Sequence, residues 1–202
     1  MIKLGLTGLI ACGKSTVSKM LEELGATVID ADLVGHEVML PGQEAYRRVV
    51  ERFGTGILAD DGKIDRTKLG SIVFNDPQAL KDLDGITHPA VRARTRQLIA
   101  EAKTEVVVIE AIKLIEAGMS QYYDTIWIVI CNPEQQVIRL MATRNMTEEQ
   151  ARIRLEAQGS IDWKLKLAQV IIDNSGSLEE TREQVKRGWE QTLARGPKSE
   201  GG

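Results

Sequence analysis

Short apolar runs rich in β-branched residues alternate along the chain with longer stretches whose apolar residues recur at helical spacing. Ile2–Leu6, Val28–Asp30, Val106–Ile109, Ile126–Ile130 and Val170–Ile172 read as strands. The last three are continuous rather than alternating, as expected where helices cover both faces of a parallel sheet. Lys14–Leu24 reads as a helix stopped at Gly25, Pro133 marks a helix start, and Leu178–Leu193 reads as a final amphipathic helix. Between the second and third strands, from about Leu33 to Lys103, no convincing strand occurs, and a second helical excursion runs from about Glu134 to Lys166. The alternation implies a three-layer α/β fold. Its core is expected over about 1–32, 104–132 and 168–195, with helical insertions over about 33–103 and 133–167. The tail 196–202 is expected to be disordered.

Composition narrows this picture only a little. The 202 residues carry a formal charge of −3 and are 43% hydrophobic, enough for a real core and without a general pull toward nucleic acid or anionic membrane. No apolar run approaches the ~18 residues of a membrane span. Cys12 and Cys131 have no metal-like spacing and read as reduced thiols of a cytoplasmic protein.

Candidate chemistry changes the picture more. Gly8-Leu9-Ile10-Ala11-Cys12-Gly13-Lys14-Ser15 satisfies G-x-x-x-x-G-K-[ST] between a strand and a helix. Such a loop points backbone N–H groups at phosphates, and the helix start adds unpaired N–H groups and a positive dipole end. Lys14 is expected on the β- and γ-phosphates, and Ser15 on magnesium. After the second strand come Asp30 and Asp32. Read as one extended segment, they face the same way, so either can serve an acceptor hydroxyl, or one can cap the next helix.

With these residues in hand, the chain resembles the dephospho-CoA kinases over nearly its whole length. Ile29-Asp30-Ala31-Asp32, His36-Glu37-Val38, Ile64-Asp65-Arg66, Val73-Phe74, Ile86-Thr87-His88-Pro89, Glu116-Ala117-Gly118 and Asp173-Asn174-Ser175-Gly176 follow in the family's order. The resemblance implies a P-loop kinase core with a helical CoA-binding insertion and a helical lid. It implies an ATP-dependent phosphotransferase acting on the ribose 3′-hydroxyl of dephospho-CoA, with Mg2+. By resemblance Asp32 is the base, with Lys14 and Arg144 as its catalytic companions. Gly8, Ala11, Cys12, Gly13, Lys14, Ser15, Thr16, Arg144, Arg154 and Asn174 would bind ATP, and Thr7, Asp32 and His88 the acceptor. On sequence alone, His88 equally reads as capping a turn before Pro89, and Asn174 as part of a plain turn. Arg139 and Arg152 read as solvated lid residues. Glu110 is expected to order magnesium-bound water. Lys113 either faces solvent or meets a substrate phosphate.

The chain departs from the family loop at Leu9, Ala11 and Cys12, where glycines and a serine are usual. Alternatives are another small-molecule P-loop kinase, such as one acting on a nucleoside monophosphate, or a nucleotide-binding scaffold. No guanine-reading Asn-Lys-x-Asp segment is present. Expected partners are the two small substrates, without nucleic acid or membrane, in a monomer or weak homo-oligomer.

Overall fold

The computed structural model describes residues 1–112, 114–116 and 118–198. Lys113 and the end of the tail, 199–202, lie outside the described residues. Along the chain, β1 (Ile2–Gly8), α1 (Lys14–Glu23) and β2 (Thr27–Asp30) precede α2 (Ala31–Glu37), α3 (Glu44–Phe53), α4 (Arg66–Val73) and α5 (Pro77–Glu101). Then come β3 (Val106–Glu110), β4 (Thr125–Ile130), α6 (Pro133–Arg144), α7 (Glu148–Glu156), α8 (Asp162–Leu165), β5 (Val170–Asp173) and α9 (Leu178–Arg195). The chain divides into two compact units, one made of Met1–Ile29 with the stretch from Lys103 onward, the other of Asp30–Ala102.

The first unit holds a five-stranded sheet in the order β2-β3-β1-β4-β5, with β1–β3, β1–β4 and β4–β5 parallel. All five residues of β3 are buried, so this strand has an apolar neighbour on each face. Leu4, Leu6, Val108 and Trp127 share one buried cluster with Val17 and Leu21 of α1 and Val185 of α9. The Trp127 indole N–H donates to Thr192 Oγ1 at 3.2 Å, which satisfies a donor that burial would otherwise leave unpaired. Gly25, at φ 99°, ends α1 as expected of a left-handed stop.

The second unit is helical. Its only bridge among the described residues pairs Leu58 with Ile64. Two sequence expectations change here. The strand ends at Asp30 and α2 begins at Ala31, so Asp30 and Asp32 do not share an extended face. Asp30 Oδ1 accepts from the backbone N–H groups of Asp32 and Leu33 at 2.8 and 3.0 Å, making Asp30 the helix cap. Likewise, no turn precedes Pro89: α5 runs 25 residues straight through it. An interior proline costs about 3 kcal/mol. Packing of α5 against α2, α3 and α4, with Ala79, Ile86 and Thr87 buried, offsets that cost.

Candidate active site

The phosphate loop leaves β1 where β4 crowds it. A side chain on Gly8 would place its Cβ 2.6 Å from the Val129 carbonyl oxygen, and the Leu9 N–H bonds that same oxygen at 3.1 Å. At the other end Gly13 adopts φ 83°, and a Cβ there would lie 2.2 Å from Asn174 Nδ2. Only glycine meets both demands. Beyond it the Thr16 and Val17 N–H groups bond back to the Gly13 carbonyl at 3.0 and 3.3 Å. The N–H groups ahead of these, at Lys14 and Ser15, precede the first helical bond, which leaves them for an anion.

Three successive loop carbonyls are held away from that anion position by side chains distant in sequence. Gln136 Nε2 donates to Ile10 O at 2.7 Å, Arg139 Nη1 to Ala11 O at 3.5 Å, and Asn174 Nδ2 to Cys12 O at 2.8 Å. Gln158 Oε1 accepts from the Ile10 N–H at 2.8 Å. The small core of Val137 and Leu140 from α6 and Ala151 from α7 packs on Ile10 and Ala11. This explains how a loop poor in glycine keeps its shape: outside donors and an apolar seat hold it. Arg139 is thus no solvated lid residue. Its second nitrogen, Nη2, donates to Asn174 O at 3.0 Å. Asn174 is 3% exposed, and Thr181 Oγ1 of α9 donates to its Oδ1 at 2.8 Å, so its carboxamide bridges the loop and α9.

Ala11 sits at φ 56°, a left-handed conformation that costs a non-glycine residue about 1 kcal/mol or more. Ala11→Gly is therefore expected to raise unfolding free energy in urea by up to about 1 kcal/mol. A loss of stability would show that the apolar seat outweighs the strain.

Lys14 Nζ is paired with Glu110 Oε1, and the Ser18 hydroxyl donates to Glu110 Oε2. Glu110 is 7% exposed and Ser18 5%, so the carboxylate at the end of β3 is buried but satisfied by two donors. Ser18 was not singled out from the sequence, though its i+4 spacing from Lys14 puts both on one face of α1. Ser15 is exposed, Thr16 is half-buried, and Thr7 Oγ1 donates to Ile112 O at 3.0 Å.

Arg144, the last residue of α6, and Arg154, in α7, are both exposed. Arg152 is spent on Glu134 and Glu148 at 3.2 and 2.8 Å. Asp32 and His88 belong to the second unit. Asp32 is exposed in the first turn of α2, and His88 lies 3.5 Å from Asp84 Oδ1 on α5. In the same unit Arg66 bonds the His36 ring.

Comparison with known proteins matches residues 2–180 to the dephospho-CoA kinase family model. The chain belongs to the dephospho-CoA kinase family. It is 46% identical over 185 residues to the dephospho-CoA kinase of Carboxydothermus hydrogenoformans, covering 90% of each chain. With that of Geobacter sulfurreducens it shares 46% over 189 residues, covering 92% of this chain and 96% of the relative. The dephospho-CoA kinase structure from Campylobacter jejuni superposes with a TM-score of 0.68 at 30% identity, over 94% of this chain and 96% of that one. A shikimate kinase from Bacteroides thetaiotaomicron, 16% identical with a TM-score of 0.53 over 95% and 98% of the two chains, shares the fold. Among the described residues, no helix is long and apolar enough to cross a membrane.

Proposed function

We propose that this chain transfers the γ-phosphoryl group of ATP to the ribose 3′-hydroxyl of dephospho-CoA, the last step of coenzyme A synthesis. The observation that carries the reading is the complete phosphate loop, shaped and seated as above, inside a chain matched to the family over residues 2–180. The loop amides and the α1 amino end hold the triphosphate, and Lys14 swings from Glu110 to the β- and γ-phosphates. Asp32 accepts the proton of the acceptor hydroxyl as the new O–P bond forms and the bond to the β-phosphate oxygen breaks, releasing ADP. Arg144 and Arg154 neutralise charge on the transferring oxygens. Thr7 and His88 hold the acceptor, Thr16 lines the ATP side, and Asn174 acts by positioning Cys12 and Gly13.

Magnesium suits the oxygen donors here. Ser15 supplies an exposed hydroxyl, and Glu110 a carboxylate that Lys14 vacates on reaching the phosphates. When bound, the ion would draw charge from the β- and γ-oxygens. We place the reaction in the cytoplasm, carried out by a monomer or weak homo-oligomer.

The test is ADP release from ATP and magnesium with dephospho-CoA, AMP or CMP as acceptor. Stimulation by dephospho-CoA alone is expected. Stimulation by AMP or CMP instead would assign a nucleoside monophosphate kinase, and none above background hydrolysis would sink the kinase reading.

A further inference from the structure

Two thiols that the proposed reaction does not use lie against each other at the phosphate loop. Cys12 comes from the loop and Cys131 from the residue after β4, 119 positions apart in sequence, yet their sulfurs are 2.9 Å apart. Both are free thiols. Cys12 is fully buried and Cys131 is 7% exposed, so a small reagent reaches Cys131 first.

The surroundings also make the two sulfurs unequal. The Cys131 thiol is held below its ordinary range by its hydrogen bond with Cys12 and by the Arg139 guanidinium, against burial and the charge of Asp173. The Cys12 thiol is pushed up by its bond to Cys131 and by burial. The result is a thiol that ionises more readily beside one that keeps its proton, the arrangement in which oxidation is site-selective.

We propose that Cys12 and Cys131 form a modification site, a dithiol that hydrogen peroxide converts to an intramolecular disulfide, closing the phosphate loop to ATP until a thiol reductant reopens it. In the first step Cys131 Sγ attacks a peroxide oxygen and the O–O bond breaks. The leaving hydroxide takes a proton to become water, and Cys131 becomes a sulfenic acid. Cys12 Sγ then attacks the Cys131 sulfur and the S–S bond forms. The S–O bond breaks, and the departing hydroxide carries off the Cys12 proton as a second water. One peroxide is reduced and two thiols are oxidised. Buried cytosolic cysteines more often serve as small packing residues. Here the contact between them, the charge beside one and the loop around the other favour chemistry.

A disulfide needs its sulfurs about 2.05 Å apart, so the two side chains and the backbone that carries them must together close by roughly 0.9 Å. Cys12 O is tied to Asn174, whose Nδ2 crowds Gly13, so the backbone's share of that movement passes directly into the cradle. Displacements of about 1 Å at a reacting site cost up to ~100-fold.

The covalent step stands on its own, whereas the loss of turnover rests on the kinase reading above. Reduced full-length protein is treated with hydrogen peroxide and analysed by peptide mapping for a linked Cys12–Cys131 pair. In parallel, binding of a fluorescent ATP analogue is measured, which needs no acceptor. The expected result is a linked pair, analogue affinity at least ~10-fold weaker, and full recovery with dithiothreitol. Cys131→Ser, or Cys131→Ala where the serine hydroxyl is left unpartnered, should form no link and keep its affinity under peroxide. Absence of the linked peptide, or equal loss of affinity in both Cys131 variants, overturns the proposal. A linked pair with unchanged affinity overturns the closing of the loop. None of these readouts depends on whether dephospho-CoA is the acceptor.

Discussion

Lys14→Ala is expected to lower turnover by about 10²–10³-fold, the scale of losing one preorganised charge aimed at the transferring oxygens. The same change also threatens the fold. Lys14 and Glu110 form an ion pair whose side chains are 15% and 10% exposed, with Ser18 as the other donor to the carboxylate. Removing one partner of so buried a pair typically costs about 3 kcal/mol or more, because the remaining charge is stranded. A single variant therefore confuses lost chemistry with lost structure. The double variant Lys14→Met with Glu110→Gln separates them, since it leaves no stranded charge. It should recover most of the wild-type urea midpoint and remain inactive. Activity in the double variant at a tenth of wild type or better would remove Lys14 from the mechanism.

The second large effect is expected at Asp32. Asp32→Asn keeps the size and shape of the side chain at the first turn of α2 and removes its charge. The loss of a favourable dipole contact there costs at most about 1 kcal/mol. Turnover with dephospho-CoA should fall at least ~100-fold, the scale of lost general-base assistance, while ATP affinity stays within about twofold. A change in ATP affinity with turnover intact would make Asp32 a structural residue. Turnover unchanged together with affinity would leave the base unassigned, because Asp30 has both N–H groups of its cap to hold.

The elements of the sheet were legible because their residues leave little choice. Runs such as Val106–Ile109 and Ile126–Ile130 are too short for buried helices and too apolar for loops, and they recur as strands within a residue of their expected ends. The phosphate loop was legible because its chemistry is local, with glycine, lysine and serine at fixed spacing. What holds the loop was not legible. Gln136, Arg139 and Asn174 lie more than 120 residues from the carbonyls they meet, and on sequence alone Arg139 reads as solvated, Asn174 as part of a plain turn, and nothing marks Gln136. The same distance hid the contact of Cys12 with Cys131. Elsewhere a local rule lost to packing: a turn is expected before Pro89, yet α5 passes through it because the helix packs against α2, α3 and α4. The pairing of Asp30 with Asp32 failed for a different reason. Capping and catalysis ask for the same residue type at a strand end, and only the hydrogen bonds tell them apart.

The central place of β1 in the sheet has a consequence before the protein is ever complete. Both of its neighbours are encoded far downstream: Ile2 pairs with Val106 and Leu4 with Thr125. At about 5–20 residues per second, a nascent chain carries this apolar strand with two open edges for roughly 5–20 s before either partner leaves the ribosome. Such edges are templates for association between chains. The interval in which this protein is most prone to aggregate is therefore its own synthesis, ahead of the emergence of β3 and β4, rather than the lifetime of the finished sheet.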